Sequence, residues 1–166
     1  TSRSITIVYT EPNSPAANAN LTRGTRILEV NGTPVDTNTN TGVEALNEGL
    51  FPSEDGESHT FLVMGLESSA AQEVTLVSES VTSVPVQNVH TQTLGDQTVG
   101  YMLFNDHIAT AEEALVDAVE QLSVADIDEL VLDIRYNGGG FLTIASQLSY
   151  MIAGPTQTDN RVFELQ

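Results

Sequence analysis

Residues 130–140 constrain this chain more than any other stretch. An apolar run, Leu130-Val131-Leu132, leads through Asp133-Ile134-Arg135-Tyr136-Asn137 into Gly138, Gly139 and Gly140. The run over 129–135, polar only near its end, reads as a buried strand. Beyond the glycines, Ile144, Leu148, Met151 and Ile152 recur at helical spacing, and Gly154-Pro155 stops the pattern. Strand, bare backbone and helix in that order leave main-chain N–H groups unshielded by side chains. Such a place holds negative charge, either a bound anion or an oxyanion that develops during a reaction. A dinucleotide fingerprint does not fit, because the third glycine of G-x-G-x-x-G would fall on Thr143.

The preceding residues supply the rest of an α/β pattern. Residues 99–105 read as a strand. Thr110-Ala111-Glu112-Glu113 has capping-box spacing, and Leu115, Ala118, Val119 and Leu122 form an apolar stripe. Strand, helix, strand and helix predict parallel strands joined by a right-handed crossover. A polar, Gln- and Thr-rich stretch before them, residues 80–98, reads as a linker.

Residues 1–79 read as a small β-rich unit with two helices. Ile5 to Tyr9 alternates like a strand. Ser14-Pro15 is a cap with proline at the first helical position, and Asn20 stands where a left-handed residue ends the short helix. Arg26 to Val30 is a strand closed by the tight-turn pair Asn31-Gly32. Thr41-Gly42-Val43-Glu44 repeats the capping-box spacing ahead of Leu46 and Leu50, and residues 59–64 and 72–78 read as a hairpin. Residues 161–166 resemble a further strand.

Composition narrows the chemistry. Net charge is -18, carried by five Arg and no Lys against 23 acidic residues. So acidic a chain repels phosphate backbones and anionic lipid, which argues against nucleic-acid partners. The absence of Lys excludes a Lys base, a Schiff base and a Walker-type loop within these residues. With no Cys there are no disulfides, thiolate nucleophiles or Cys-bound metals. No apolar run reaches the ~20 residues of a membrane-spanning helix. No cofactor or metal is implied. The hydrophobic content of 40% suffices for packed cores.

Asp133-Ile134-Arg135-Tyr136-Asn137-Gly138-Gly139-Gly140 followed by a helix resembles the strand-and-glycine motif of the C-terminal processing (tail-specific) serine peptidases, in its tricorn-like form. Val99 to Phe104 resembles the strand that opens their catalytic core. Asn13-Ser14-Pro15-Ala16-Ala17, Leu21-Thr22-Arg23-Gly24 and Ile27 to Val35 follow the order of a PDZ domain. The pattern departs at Asn20 and Thr25, where that domain usually has Gly and Asp. The resemblance implies an α+β chain: a PDZ-like domain over 1–79 whose first strand lies before or at Thr1, a linker over 80–98, and part of an α/β core of the crotonase/ClpP type over 99–166.

The resemblance further implies a serine-type endopeptidase that hydrolyses peptide bonds of exported proteins. The PDZ part would take a peptide or unfolded protein as an added strand. The backbone of Gly138, Gly139 and Gly140, Gly139 foremost, would form the oxyanion hole, with nucleophile and base beyond Gln166. Ser146 and Ser149 sit within the helical pattern as ordinary helix serines, so these residues alone are expected not to cleave peptides. The implied setting is the bacterial periplasm or cell envelope, with a lipid anchor as an option. Two alternatives stand beside it: a non-catalytic peptide-binding or scaffolding relative, and an acyl-thioester binder of the crotonase type.

Other polar residues carry bland expectations. Asp133 and Arg135 read as a structural ion pair, and Asn137 as a helix cap or a support for the glycine loop. His59, His90 and His107 read as solvent-exposed. His107 alone lies at a carboxyl strand end, where a tricorn-type base could stand.

Overall fold

The computed structural model describes residues 3–155. The chain divides into two compact units, Thr1–Ser83 and Val84–Gln166.

In the first unit, β1 (Ile5–Thr6), β2 (Arg26–Val30), β3 (Thr33–Pro34), β4 (Ser58–Met64) and β5 (Gln72–Val77) form one sheet in the order β1-β2-β4-β5, with β3 also paired to β2. All pairings are antiparallel. Asn31 and Gly32, at φ 50° and 74°, make the left-handed turn that joins β2 to β3. Helix α1 (Pro15–Asn18) is capped by Ser14, whose hydroxyl accepts from the Ala17 N–H, and Asn20 takes the left-handed conformation at φ 58°. Helix α2 (Asn40–Leu50) starts earlier than its apparent capping box. Thr39, not Thr41, is its cap, because the Thr39 hydroxyl reaches the Gly42 N–H. Leu21, Val30, Val35, Leu46, Phe61 and Val63 form the core.

The second unit has β6 (Val86–Leu94), β7 (Gln97–Phe104) and β8 (Glu129–Asp133) in the order β6-β7-β8. The expected linker over 80–98 is therefore largely a strand. Val86 to Leu94 is an edge strand with most of its outer half exposed, so its Gln and Thr residues are solvated while their backbone pairs antiparallel with β7. The sheet is mixed, not wholly parallel: β7 and β8 run parallel from Val99↔Glu129 to Leu103↔Asp133, as expected. Helix α3 (Ala111–Val124) lies between them in sequence, and α4 (Leu142–Ala153) follows β8. Thr110 precedes α3 without a side-chain capping bond, so the expected box does not form there.

Met102 and Phe104 on one face of β7 meet Ala111, Leu115, Ala118 and Leu122 of α3 and Ile144 and Leu148 of α4. Met151 packs at the margin of this core, whereas Ile152, expected on the same stripe, is exposed. Gly154, at φ 74°, ends α4. The strand expected over 161–166 lies outside the described residues. No helix of the described residues is long and apolar enough to cross a membrane.

Leu115 is fully buried and Val124, on the same helix, is 82% exposed. Leu115→Ala is expected to cost about 3 kcal/mol in denaturant unfolding, and Val124→Ala less than about 0.5 kcal/mol. Equal costs for the two would contradict the packing of α3 described above.

Candidate functional site

Strand β8 ends at Asp133, two residues short of the expected Arg135, and its own side chain ends it. Asp133 Oδ1 accepts from the Arg135 N–H at 3.1 Å, a local bond that competes with continuation of the ladder. The Arg135 Nε–H donates to Oδ1 and Oδ2 at 2.9 and 3.1 Å, and Nη2 also reaches Oδ2. Across the parallel pair, the Tyr101 hydroxyl donates to Asp133 Oδ2 at 2.7 Å. The expected ion pair is present, with the Asp133 side chain 5% exposed and that of Arg135 61% exposed. The Arg135 guanidinium holds the Asp133 carboxyl far below the usual carboxylate range, with the Tyr101 hydroxyl adding to the effect. Burial, followed by the bond to Asp133, raises the Tyr101 phenol.

The chain then turns into the glycines and is tied to the end of β7. The His107 N–H donates to Gly139 O at 3.1 Å, and the Phe141 N–H donates to His107 O at 2.8 Å. These two bonds make an isolated parallel bridge between His107 and Gly140. Gly140, at φ 133°, lies so close that an added Cβ would stand 2.6 Å from His107 O. The third position of the triplet must therefore be glycine on steric and conformational grounds together.

Asn137 completes the tie. Its Nδ2 donates to Phe104 O at 3.0 Å, which turns Oδ1 toward the loop. Oδ1 accepts from the Gly139 N–H at 2.8 Å and faces His107 Nδ1 at 2.8 Å. With an amide oxygen opposite, His107 Nδ1 is the protonated nitrogen, and in the neutral ring Nε2 keeps its lone pair. The His107 ring also lies 4.6 Å from the Phe104 ring, tilted by 55°.

The three glycines, placed together in sequence, thus have different roles. Gly139, expected foremost to offer its N–H, spends that donor on Asn137. The amides of Gly138 and Gly140 have no bonded partner among the described residues. A Cβ at Gly138 would meet nothing within 4 Å. Asn137 is not the cap of α4. Phe141 occupies that position without a side-chain bond.

His107 departs from the expected exposure. It is half-buried between Phe104 and Asn137, brought there by the β7–β8 pairing. His59 is also largely buried. Its side chain is 14% exposed, with Nδ1 3.0 Å from Asn31 Nδ2, while His90 is exposed as expected. Ser146 and Ser149 lie on α4, and the Ser149 hydroxyl bonds back to Ala145 O at 2.7 Å. Sequence reasoning passed over Asn105, next to the end of β7. It is 5% exposed, and neither atom of its side-chain amide has a partner among the described residues. Only its place at a carboxyl strand end could have drawn attention to it. Among the described residues no three His, Asp or Glu side chains converge to hold a metal ion.

The description "Peptidase family S41" matches residues 98–162. A carboxyl-terminal-processing protease of Synechocystis is 33% identical over 129 residues, covering 78% of this chain and 29% of that protein. One from Picosynechococcus is 25% identical over 143 residues, covering 86% and 33%. The chain therefore spans about a third of the length of the curated relatives it matches. Among solved structures, one described as an S41 protease from Bacteroides fragilis superposes with a TM-score of 0.72 at 24% identity, over 96% of this chain and 42% of that one. The photosystem II D1 C-terminal processing protease gives 0.57 at 22% identity, over 90% and 41%. At these identities the superpositions establish the fold alone.

Two outcomes follow from the geometry. Gly140→Ala is expected to destabilise by about 2 kcal/mol or more, and Gly138→Ala by less than about 0.5 kcal/mol, in urea unfolding followed by circular dichroism. Asp133, whose pKa is depressed on folding, contributes stability that is present above its unfolded pKa of about 4 and is lost as pH falls below it. Asp133→Asn is therefore expected to lower the unfolding midpoint at neutral pH, with the gap to wild type closing below about pH 4. A gap independent of pH would remove the ionised carboxylate from the account.

Proposed function

With residues 98–162 belonging to peptidase family S41, we propose that this chain is part of a serine-type endopeptidase of the C-terminal processing kind. The observation that carries this is the glycine loop at the carboxyl end of β8, where two amides are left without partners among the described residues beside the parallel pair of β7 and β8. An acyl transfer develops negative charge on the scissile carbonyl oxygen, and preorganised N–H donors lower that barrier. In this proposal Gly138 and Gly140 offer those donors, and Gly139 serves the loop itself. The nucleophile and base come from residues outside these 166. The chain has no Lys, and its serines past the loop belong to helix α4.

The first unit is the peptide-selecting part, of PDZ type, and the second is part of a crotonase/ClpP-like core. Support for the first assignment is an apolar groove of about 460 Å³ beside β1, lined by Ile7, Val8, Leu21, Ile27, Phe61 and Val63. An extended peptide that pairs with a sheet edge would seat alternate side chains in such a groove. The substrate class is a peptide or unfolded protein, and the setting is the bacterial periplasm or cell envelope.

The test uses protein produced from the whole reading frame. It is expected to cleave an unfolded substrate such as reduced casein, to be blocked by a serine-directed phosphonate, and to lose about 10²-fold or more in kcat when a Gly138→Pro change removes one donor. Saturable peptide binding without any cleavage would sink the peptidase assignment and leave a binding protein.

A further inference from the structure

We propose that His107 is a positioning residue for the glycine loop: through Asn137 it fixes which of the three glycine amides is consumed internally and which two are offered outward. The proposal rests on the peptidase assignment for its catalytic consequence, but the latch itself is geometric. Asn137 is a side-chain amide with two distinct ends, and only one orientation serves the loop. With Oδ1 toward Gly139, the Gly139 N–H is consumed; with the amide reversed, an Nδ2–H group would face that N–H and the bond would be lost.

Two neighbours set the orientation. Phe104 O can only accept, so it draws Nδ2 at 3.0 Å. The His107 ring, 2.8 Å away on the other side, donates from Nδ1 to Oδ1 and so adds a bond to the orientation that Phe104 O selects; a reversed amide would lose the Phe104 bond and require the ring to move its proton to Nε2. The His107 backbone, meanwhile, clasps Gly139 O and the Phe141 N–H on its own account. Main chain and side chain of one residue thus hold the loop at two points. Only the second depends on the imidazole.

This division makes the test specific. In an Asn at position 107 the Nδ2 lies two bonds from Cβ, as His Nδ1 does, whereas in a Gln the donor lies one bond further out. In the protein from the whole reading frame, His107→Ala is expected to speed hydrogen exchange of the Gly139 amide at least about tenfold, read by selective ¹⁵N-glycine labelling, while exchange of the buried Leu115 amide, read in a ¹⁵N-leucine-labelled sample, stays as in wild type. With a peptide substrate, kcat is expected to fall on the order of 10²-fold with KM within about twofold. His107→Asn is expected to restore both properties in large part, and His107→Gln neither. His107→Ala with Asn137→Ala is expected to lose no more than Asn137→Ala alone, because the two act as one unit.

Unchanged Gly139 exchange in His107→Ala, or equal rescue by Asn and Gln, overturns the latch. If the exchange results come out as expected but the wild-type protein cleaves nothing, the latch stands and the peptidase assignment falls. If the wild type cleaves peptides while His107→Ala matches it in exchange and kcat, the assignment stands and the latch falls.

Discussion

The parallel pairing of β7 with β8 is the constraint on which the rest of the second unit depends. It places Leu103 beside Asp133 and so brings the residues just past both strands to one sheet end. The contacts that tie β8 and its loop to β7 and the residues after it follow from that register: Phe104 O to Asn137, His107 to Gly140, and Tyr101 to Asp133. A slip of one residue would turn Met102 and Phe104 away from α3 and α4, so burial of that apolar face fixes the register without help from the loop. The site thus inherits its geometry from the hydrophobic core.

Asp133 stands where the two requirements meet. Its backbone is the last rung of the ladder, while its carboxylate gathers the Arg135 backbone, the Arg135 guanidinium and the Tyr101 hydroxyl. A buried carboxylate with fewer partners would be costly. Here the charge-assisted bonds come from a neighbour two residues on, whose long side chain stays mostly in water. Beyond the stability of the ion pair, the bond from the Arg135 N–H to Asp133 Oδ1 stops the strand at one residue, so the glycines begin at a defined distance from the ladder's end.

What was legible in the sequence was local. Ser14-Pro15, Asn20 and Asn31-Gly32 each declare a backbone conformation through their own chemistry, and the structure agrees at every one. The stripe of Leu115, Ala118 and Leu122 and the parallel order of 99–133 were equally plain, because helical periodicity survives without knowledge of partners. Val86 to Leu94 was not. An edge strand with one side in water needs little apolar alternation, so its polarity resembles that of a linker. The cap of α2 was misplaced for a similar reason: Thr39 and Thr41 both qualify by residue type, and only the path of the chain from Thr37 decides between them.

The glycine loop shows the limit most sharply. Its three residues are chemically identical, so nothing in their own composition separates an amide that is offered from one that is consumed. The separation comes from His107 and Asn137, which are thirty positions apart and meet only because β7 and β8 are parallel. Gly140 is required by contact with a backbone carbonyl, Gly139 by its positive φ, and Gly138 by neither, since open space surrounds it. An absent side chain at Gly138 therefore has no steric reason within the described fold. What it provides is access to a backbone N–H, and access is useful only to something that comes from outside.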